Sequence, residues 1–183
     1  MIRIPDKFAI SRYIFFQRRN SLMLIRQARP TDIAEAYAIE TMSYPPEVAA
    51  SREAFDYRLQ TFGRYFKVAE HDGRVVGIAN AVCLSHENLA DEEMKQTGAS
   101  DPEGRFLCVL TVAVHPDYRG SGLGARLMRA LLEQAEADGL EAVLLLCEKH
   151  LISFYERLGF RYIRSSASEH GGIAWQEMKR DCR

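Results

Sequence analysis

The chain has 183 residues, with 24 Lys plus Arg against 25 Asp plus Glu, so its net charge is −1. At roughly 150 residues per domain this suits one domain, and such neutrality argues against a protein that coats nucleic acid, which needs many uncompensated cations. No apolar run approaches the ~18 residues that span a bilayer. A chain of this size buries enough surface to do without disulfide staples. Its cysteines, Cys83, Cys108, Cys147 and Cys182, form no C-x-x-C pair and read as reduced thiols of a cytoplasmic protein. The scattered histidines point away from a structural zinc site, and no metal is expected.

Residues 1–22 carry Arg3, Lys7, Arg12, Arg18 and Arg19 against Asp6, a charge of +4 that leaves −5 for residues 23–183. They lack the apolar stretch and cleavage site of a secretory signal. They are expected to form a basic extension outside a single domain spanning 23–183, with Met23 a candidate physiological start. From there a short strand opens at Leu24 and ends at Pro30. Asp32 and Glu35 have capping-box spacing and start a helix through about Met42, which Tyr44-Pro45-Pro46 breaks. Ser51 starts a second helix, with Phe55, Leu59 and Phe62 at helical spacing. The period then becomes two: Tyr65–Ala69 is a strand, His71-Asp72-Gly73 a hairpin turn, and Val75–Leu84 the return strand. Residues 85–104 form a polar loop holding Glu87, Asp91, Glu92, Glu93, Asp101 and Glu103. Phe106–Val114 is nearly all apolar, as expected of a buried central strand. A glycine-rich turn at 120–124 leads into a helix to about Asp138, closed by Gly139. Ala142–Cys147 is another buried strand, 150–158 a short helix, and Phe160–Ile163 and Ile173–Met178 are closing strands. The order β-α-α-β-β-β-α-β-α-β-β predicts an α/β (α+β) fold. Its mixed sheet has a parallel pair where the crossover helix joins 106–114 to 142–147.

The segment from Val112 to Arg126 carries the chemistry. A buried strand ends at Val114-His115, a turn follows, and Gly120, Gly122 and Gly124 open a helix. Glycines let a ligand approach the backbone and supply positive φ. A helix N-terminus offers free N–H groups and a partial positive charge, an anion site suited to a pyrophosphate. Arg119 and Arg126 add charge-assisted contacts. Gly120–Ala125 also spells G-x-G-x-x-A, but five residues separate it from the strand, unlike the dinucleotide fingerprint.

Arg119-x-x-Gly122-x-Gly124 after a Val-rich strand resembles the coenzyme A loop of the GCN5-related N-acetyltransferase (GNAT) family. Phe154-Tyr155-Glu156-Arg157-Leu158-Gly159-Phe160 is similar to that family's F-Y-x-x-x-G-F segment. The matching element order runs from about Leu24 to the C-terminus. The resemblance implies a mostly antiparallel, twisted sheet of about 6–7 strands with helices on both faces, whose parallel strands four and five splay around the pantetheine arm. It implies acetyl-CoA as cosubstrate. The cosubstrate would be held by the backbone at Val112 and Val114 and by Arg119, Gly120, Ser121, Gly122, Leu123, Gly124 and Ala125. Tyr155 would be the general acid, a hydroxyl of pKa ~10 suited to a thiolate leaving group.

Val109–His115, Leu145–Glu148 and Ile152–Tyr155 further resemble the arylalkylamine (serotonin-type) N-acetyltransferases. That likeness places Tyr44, Pro45 and Pro46 at the amine pocket. The animal members carry two fourth-strand histidines where this chain has Cys108 and Leu110, so the base is open between Glu148 and a water chain to solvent. The expected reaction is direct acetyl transfer, in a ternary complex, to a small primary amine, preferably arylalkyl. A protein N-terminus, a lysine or a polyamine is the alternative acceptor, and a non-catalytic acyl-CoA-binding module the alternative class. The acids of 85–104 are candidates for steering a cationic amine. Monomer and homodimer stay open, and no nucleic-acid or membrane partner is expected.

Overall fold

The computed structural model describes residues 22–89, 100–168 and 170–182. The basic extension through residue 21 and the middle of the acidic loop, with Asp91, Glu92 and Glu93, lie outside them. The described strands are β1 (Leu24–Gln27), β2 (Phe66–His71), β3 (Arg74–Leu84), β4 (Phe106–Val114), β5 (Ala142–Glu148), β6 (Arg161–Ser165) and β7 (Trp175–Asp181). The helices are α1 (Ile33–Ser43), α2 (Arg52–Phe62), α3 (Leu123–Ala137) and α4 (Ile152–Glu156). Among the described residues no helix is long and apolar enough to cross a membrane.

The strands form one seven-stranded sheet in the order β1-β2-β3-β4-β5-β7-β6. Every pairing is antiparallel except β4 with β5, the two strands that the crossover through α3 joins. Asp72 and Gly73 both take positive φ, 52° and 74°, the backbone of the tight turn that suits a twisted hairpin between β2 and β3. Alternate residues of β2 serve opposite faces of the sheet. Phe66 and Val68 join Ile33, Ile39 and Phe55 of α1 and α2 in one core. Ala69 joins Leu123, Leu127 and Leu131 of α3 and Tyr155 of α4 in the other.

The expected order of elements holds, and local boundaries shift. The first two helices begin differently. The predicted capping box of Asp32 with Glu35 does not form. Asp32 instead ends a 3-10 turn (Pro30–Asp32) and reaches back to the Arg29 N–H at 2.7 Å, while Arg26 donates to it at 2.6 Å. Glu35 turns to the sheet and accepts from the Val75 N–H at 2.7 Å. Ser51 caps α2 as predicted, accepting from the Ala54 N–H at 3.1 Å. The final strand starts at Trp175 rather than Ile173, because a 3-10 turn with positive φ at Gly171 occupies 170–172.

One irregularity positions the site. Asn80 pairs with Thr111 and Ala81 with Val109, so Leu110 is an extra residue in β4. A bulge bends its strand and adds twist. The pairing with β5 ends at the same point, at Val109 with Leu145. Beyond it the two strands part.

Candidate active site

The parting leaves one edge of β4 without a strand partner. His115 N–H points to Val76 on β3 at 2.9 Å, so the alternate residues Val112 and Val114 face the gap instead. Two side chains sit on this edge. The Tyr44 hydroxyl donates to Val112 O at 3.0 Å and accepts from Val112 N–H at 3.4 Å. Arg119 Nε donates to Val114 O at 3.1 Å, and its Nη2 reaches Ser43 Oγ at 3.3 Å. One arginine thereby ties the end of β4 to the end of α1.

At the mouth of the gap the chain turns through Gly120 and Gly122, with φ of 75° and 77°. A Cβ at either would meet nothing within 4 Å, so strain and open approach, not crowding, favour glycine there. Ser121 Oγ donates to Tyr118 O at 2.6 Å and fixes the turn. Gly122 is the N-cap of the 15-residue α3, and no side chain caps it. The first-turn N–H groups of Leu123, Gly124 and Ala125 thus lie beside open space with the positive end of the helix dipole. An open backbone edge and an uncapped, glycine-lined helix start fit an extended amide chain ending in a pyrophosphate.

Behind the bulge lies a cavity of about 90 Å³, room for several water-sized groups. Tyr44, Leu110, Leu146 and Trp175 give it apolar and aromatic walls, and Glu40, Arg58 and Thr111 give it polar ones. These polar side chains are deeply buried, at 2%, 1% and 2% exposure. Glu40 Oε1 accepts from the Ala50 N–H at 3.0 Å, and Oε2 makes no hydrogen bond among the described residues. Burial pushes the Glu40 carboxyl up from the usual carboxylate range, with the Ala50 N–H, the Arg58 charge and, least, the Thr111 hydroxyl pulling the other way. Arg58 Nη1 donates to Asn80 Oδ1 at 3.1 Å, at the bulge itself. The cavity is roofed where two loops meet: His170 Nε2 lies 3.3 Å from Val48 O, and Trp175 Nε1 donates to His170 O at 2.9 Å.

The acetyltransferase (GNAT) family model matches residues 33–160. The chain belongs to this family. An uncharacterized N-acetyltransferase, ycf52, from Porphyra purpurea is 36% identical over 62 residues, covering 34% of this chain and 36% of that protein. The chain therefore aligns with only about a third of that relative's length. Serotonin N-acetyltransferase from Mesocricetus auratus is 28% identical over 109 residues, 59% of this chain and 51% of that one. The loading GNATL domain of CurA from Lyngbya majuscula superposes with a TM-score of 0.77 at 14% identity, covering 87% of this chain and 98% of that one. That likeness speaks to the fold.

In this GNAT chain Tyr155 is buried on α4, edge-on to Phe154 and Phe160 at centroid distances of 4.9 and 5.8 Å. Burial, with smaller effects from Tyr44 and Cys147, pushes its hydroxyl well above the usual tyrosine range. Tyr44 is pushed up too, by burial first and then by the Glu40 charge. Tyr44 is thus electrostatically tied to Glu40, to Tyr155 and, more weakly, to Glu148. Glu148 is exposed at the end of β5, with His150 Nδ1 at 3.7 Å; its charge adds to the rise of Tyr44, and like Tyr155 it does not line the cavity. Pro45 and Pro46 are exposed and do not line the cavity, while Tyr44 does. Cys108 and Leu110 are wall residues. His115 Nδ1 accepts from the Asp117 N–H at 3.3 Å, a capping role. In the acidic loop, Glu87 is engaged by Lys179 at 2.6 Å.

Sequence reasoning missed Glu40 and Arg58, although a signal existed. Ile33, Ala36, Ile39 and Glu40 share the buried stripe of α1, and Ala54, Phe55, Arg58 and Phe62 that of α2. A charge at a core-periodic position is costly unless it is paired and hydrogen-bonded, so two of them on neighbouring helices stand out.

Proposed function

We propose that this chain is an acetyl-CoA-dependent N-acetyltransferase acting on a small primary amine, an arylalkylamine by preference, through direct attack in a ternary complex. One observation carries the reading: a carboxylate with an open oxygen stands at the wall of an aromatic-lined cavity, beside the parting of β4 and β5. Val112, Val114 and the turn Arg119–Ala125 would hold acetyl-CoA, which supplies an acetyl group activated as a thioester. Arg119 would release its internal contacts to meet the pyrophosphate, and the backbone edge at Val112 would exchange the Tyr44 hydroxyl for the pantetheine arm.

Glu40 is the base in this reading, in preference to the exposed Glu148. Its Oε2 takes the proton of the incoming amine. Tyr155, held protonated by burial, keeps a proton on its hydroxyl for the departing sulfur. Tyr44, Leu110, Leu146 and Trp175 wrap the apolar part of the amine and exclude water. The roof between Val48 and His170 favours this class of acceptor over a peptide, which needs an open groove; a Cβ on Gly171 would strike Val48. Four cysteines outside any disulfide suit a reducing compartment such as the cytoplasm.

The test is thiol release from acetyl-CoA by purified protein with tryptamine, phenylethylamine, spermidine and a short peptide. Turnover is expected with the first two. Binding of acetyl-CoA with no release for any amine would overturn the catalytic reading, and turnover only with peptide or spermidine would overturn the substrate class.

A further inference from the structure

A buried arginine beside a buried glutamate costs several kcal/mol of desolvation per charge unless each is matched. A pair that serves the fold alone satisfies its own hydrogen-bonding groups. Here Glu40 Oε2 and Asn80 Nδ2 are both left open, and Arg58 engages Asn80 through Nη1 rather than Nε. Asn80 Oδ1 accepts from Nη1 at 3.1 Å, and the guanidinium carbon sits 5.9 Å from the centre of the Phe55 ring. Asn80 itself is wholly buried, at the point where β3 faces the bulge of β4. The cation is therefore held by groups other than the carboxylate, on α2 and β3.

The groups facing Glu40 come from every element around it: Arg58 from α2, Asn80 from β3, Thr111 and Cys108 from β4, Tyr44 from the end of its own helix, and His170 from the roof. Tyr44 is kept neutral, since burial and Glu40 both raise its hydroxyl. Burial brings Arg58 down to about 10, which still leaves it a cation at neutral pH. Arg58 is thus the lasting positive charge on this wall.

We propose that Arg58 is a positioning residue, the fixed counter-cation that holds the Glu40 carboxylate ready to accept a proton from the acceptor amine. The inference rests on reading Glu40 as the base. In that step the amine N–H bond breaks, its electron pair stays on nitrogen, and an O–H bond forms at Oε2. The same cation then favours loss of that proton to solvent once the product has left, and so resets the base.

The experiment is the pH profile of kcat/KM, together with a carbon-13 NMR titration of the Glu40 side-chain carboxyl in the ligand-free protein. Arg58→Met is expected to move the acid limb and the NMR midpoint upward together by about one pH unit or more. That is a loss of about tenfold or more on the limb, with much of the high-pH plateau retained. Arg58→Lys, which keeps the charge, is expected to leave both near their wild-type positions. A merely structural arginine would lower the plateau and stability and leave the limb in place. Should Arg58→Met fail to fold, Asn80→Ala keeps both charges but loosens the clamp, and is expected to move both readouts the same way by less. An unmoved limb and midpoint in these variants, with Glu40→Gln inactive, would overturn the proposal. If Glu40→Gln stays fully active, the reading of Glu40 as base fails instead, and the NMR titration still decides whether Arg58 governs its charge.

Discussion

The two halves of the site are made of different material. The glycine turn and the open edge of β4 offer backbone: N–H and C=O groups, a helix end, two residues with positive φ. The cavity behind Leu110 offers side chains drawn from α1, α2, β4, β5 and the last loop. A backbone site is rigid as long as its strand and helix are, and it tolerates many side chains. A side-chain site depends on each member's charge and on the partners that hold it. Damage to the first should therefore appear as weaker binding of the cosubstrate, and damage to the second as slower chemistry.

The sharpest way to break this contrast is Glu40→Gln. It is expected to lower kcat by about 10²–10⁴-fold, the usual range for a lost general base, with acetyl-CoA affinity by calorimetry unchanged. A large loss of affinity would show that the two halves are not separable. Tyr155→Phe is expected to lower kcat by about 10²-fold, again without effect on affinity. Gly122→Val works from the other side. A β-branched residue at a φ of 77° costs about 1–3 kcal/mol locally, so acetyl-CoA affinity should fall about tenfold or more while the fold persists by circular dichroism.

The pH dependence follows from the raised Glu40 carboxyl. Activity needs it ionised, so kcat/KM should be full at high pH and fall as pH drops through a midpoint above the ordinary ~4.3 of a glutamate. A limb at or below that value would remove Glu40 from the role. The smallest effect is expected of Tyr44→Phe. It deletes the hydroxyl on Val112, so the strand edge is freed and acetyl-CoA should bind a few-fold more tightly. Weaker binding would show that the hydroxyl assists rather than competes.

The same contrast explains what could be read from the sequence. The glycine turn was legible because Gly120 and Gly122 are favoured by local conformation, and local conformation is written in consecutive residues. The order of strands and helices was legible for the same reason, through the Val-rich run of β4 and the Asp72-Gly73 turn. The cavity was not. Glu40 and Arg58 are 18 residues apart and come to line one cavity only once α1 and α2 lie on one face of the sheet. Glu148 stood next to a recognisable motif, at the exposed end of β5, whereas Glu40 stood next to none. The bulge at Leu110 left no mark either, since an extra apolar residue in an apolar run is invisible until its partner strand is known.

That extra residue has a consequence for the timing of hydrogen exchange. Along β4, Thr111 and Ala113 are paired with Asn80 and Ile78, so their amides belong to a sheet ladder and should exchange slowly. Val112 N–H has only a 3.4 Å contact with a tyrosine hydroxyl, and Val114 likewise faces away from β3. One strand should therefore show fast and slow amides in alternation. A molecule lying along the open edge would slow the fast ones and leave the slow ones as they are, which gives a residue-by-residue footprint of occupancy with no turnover required.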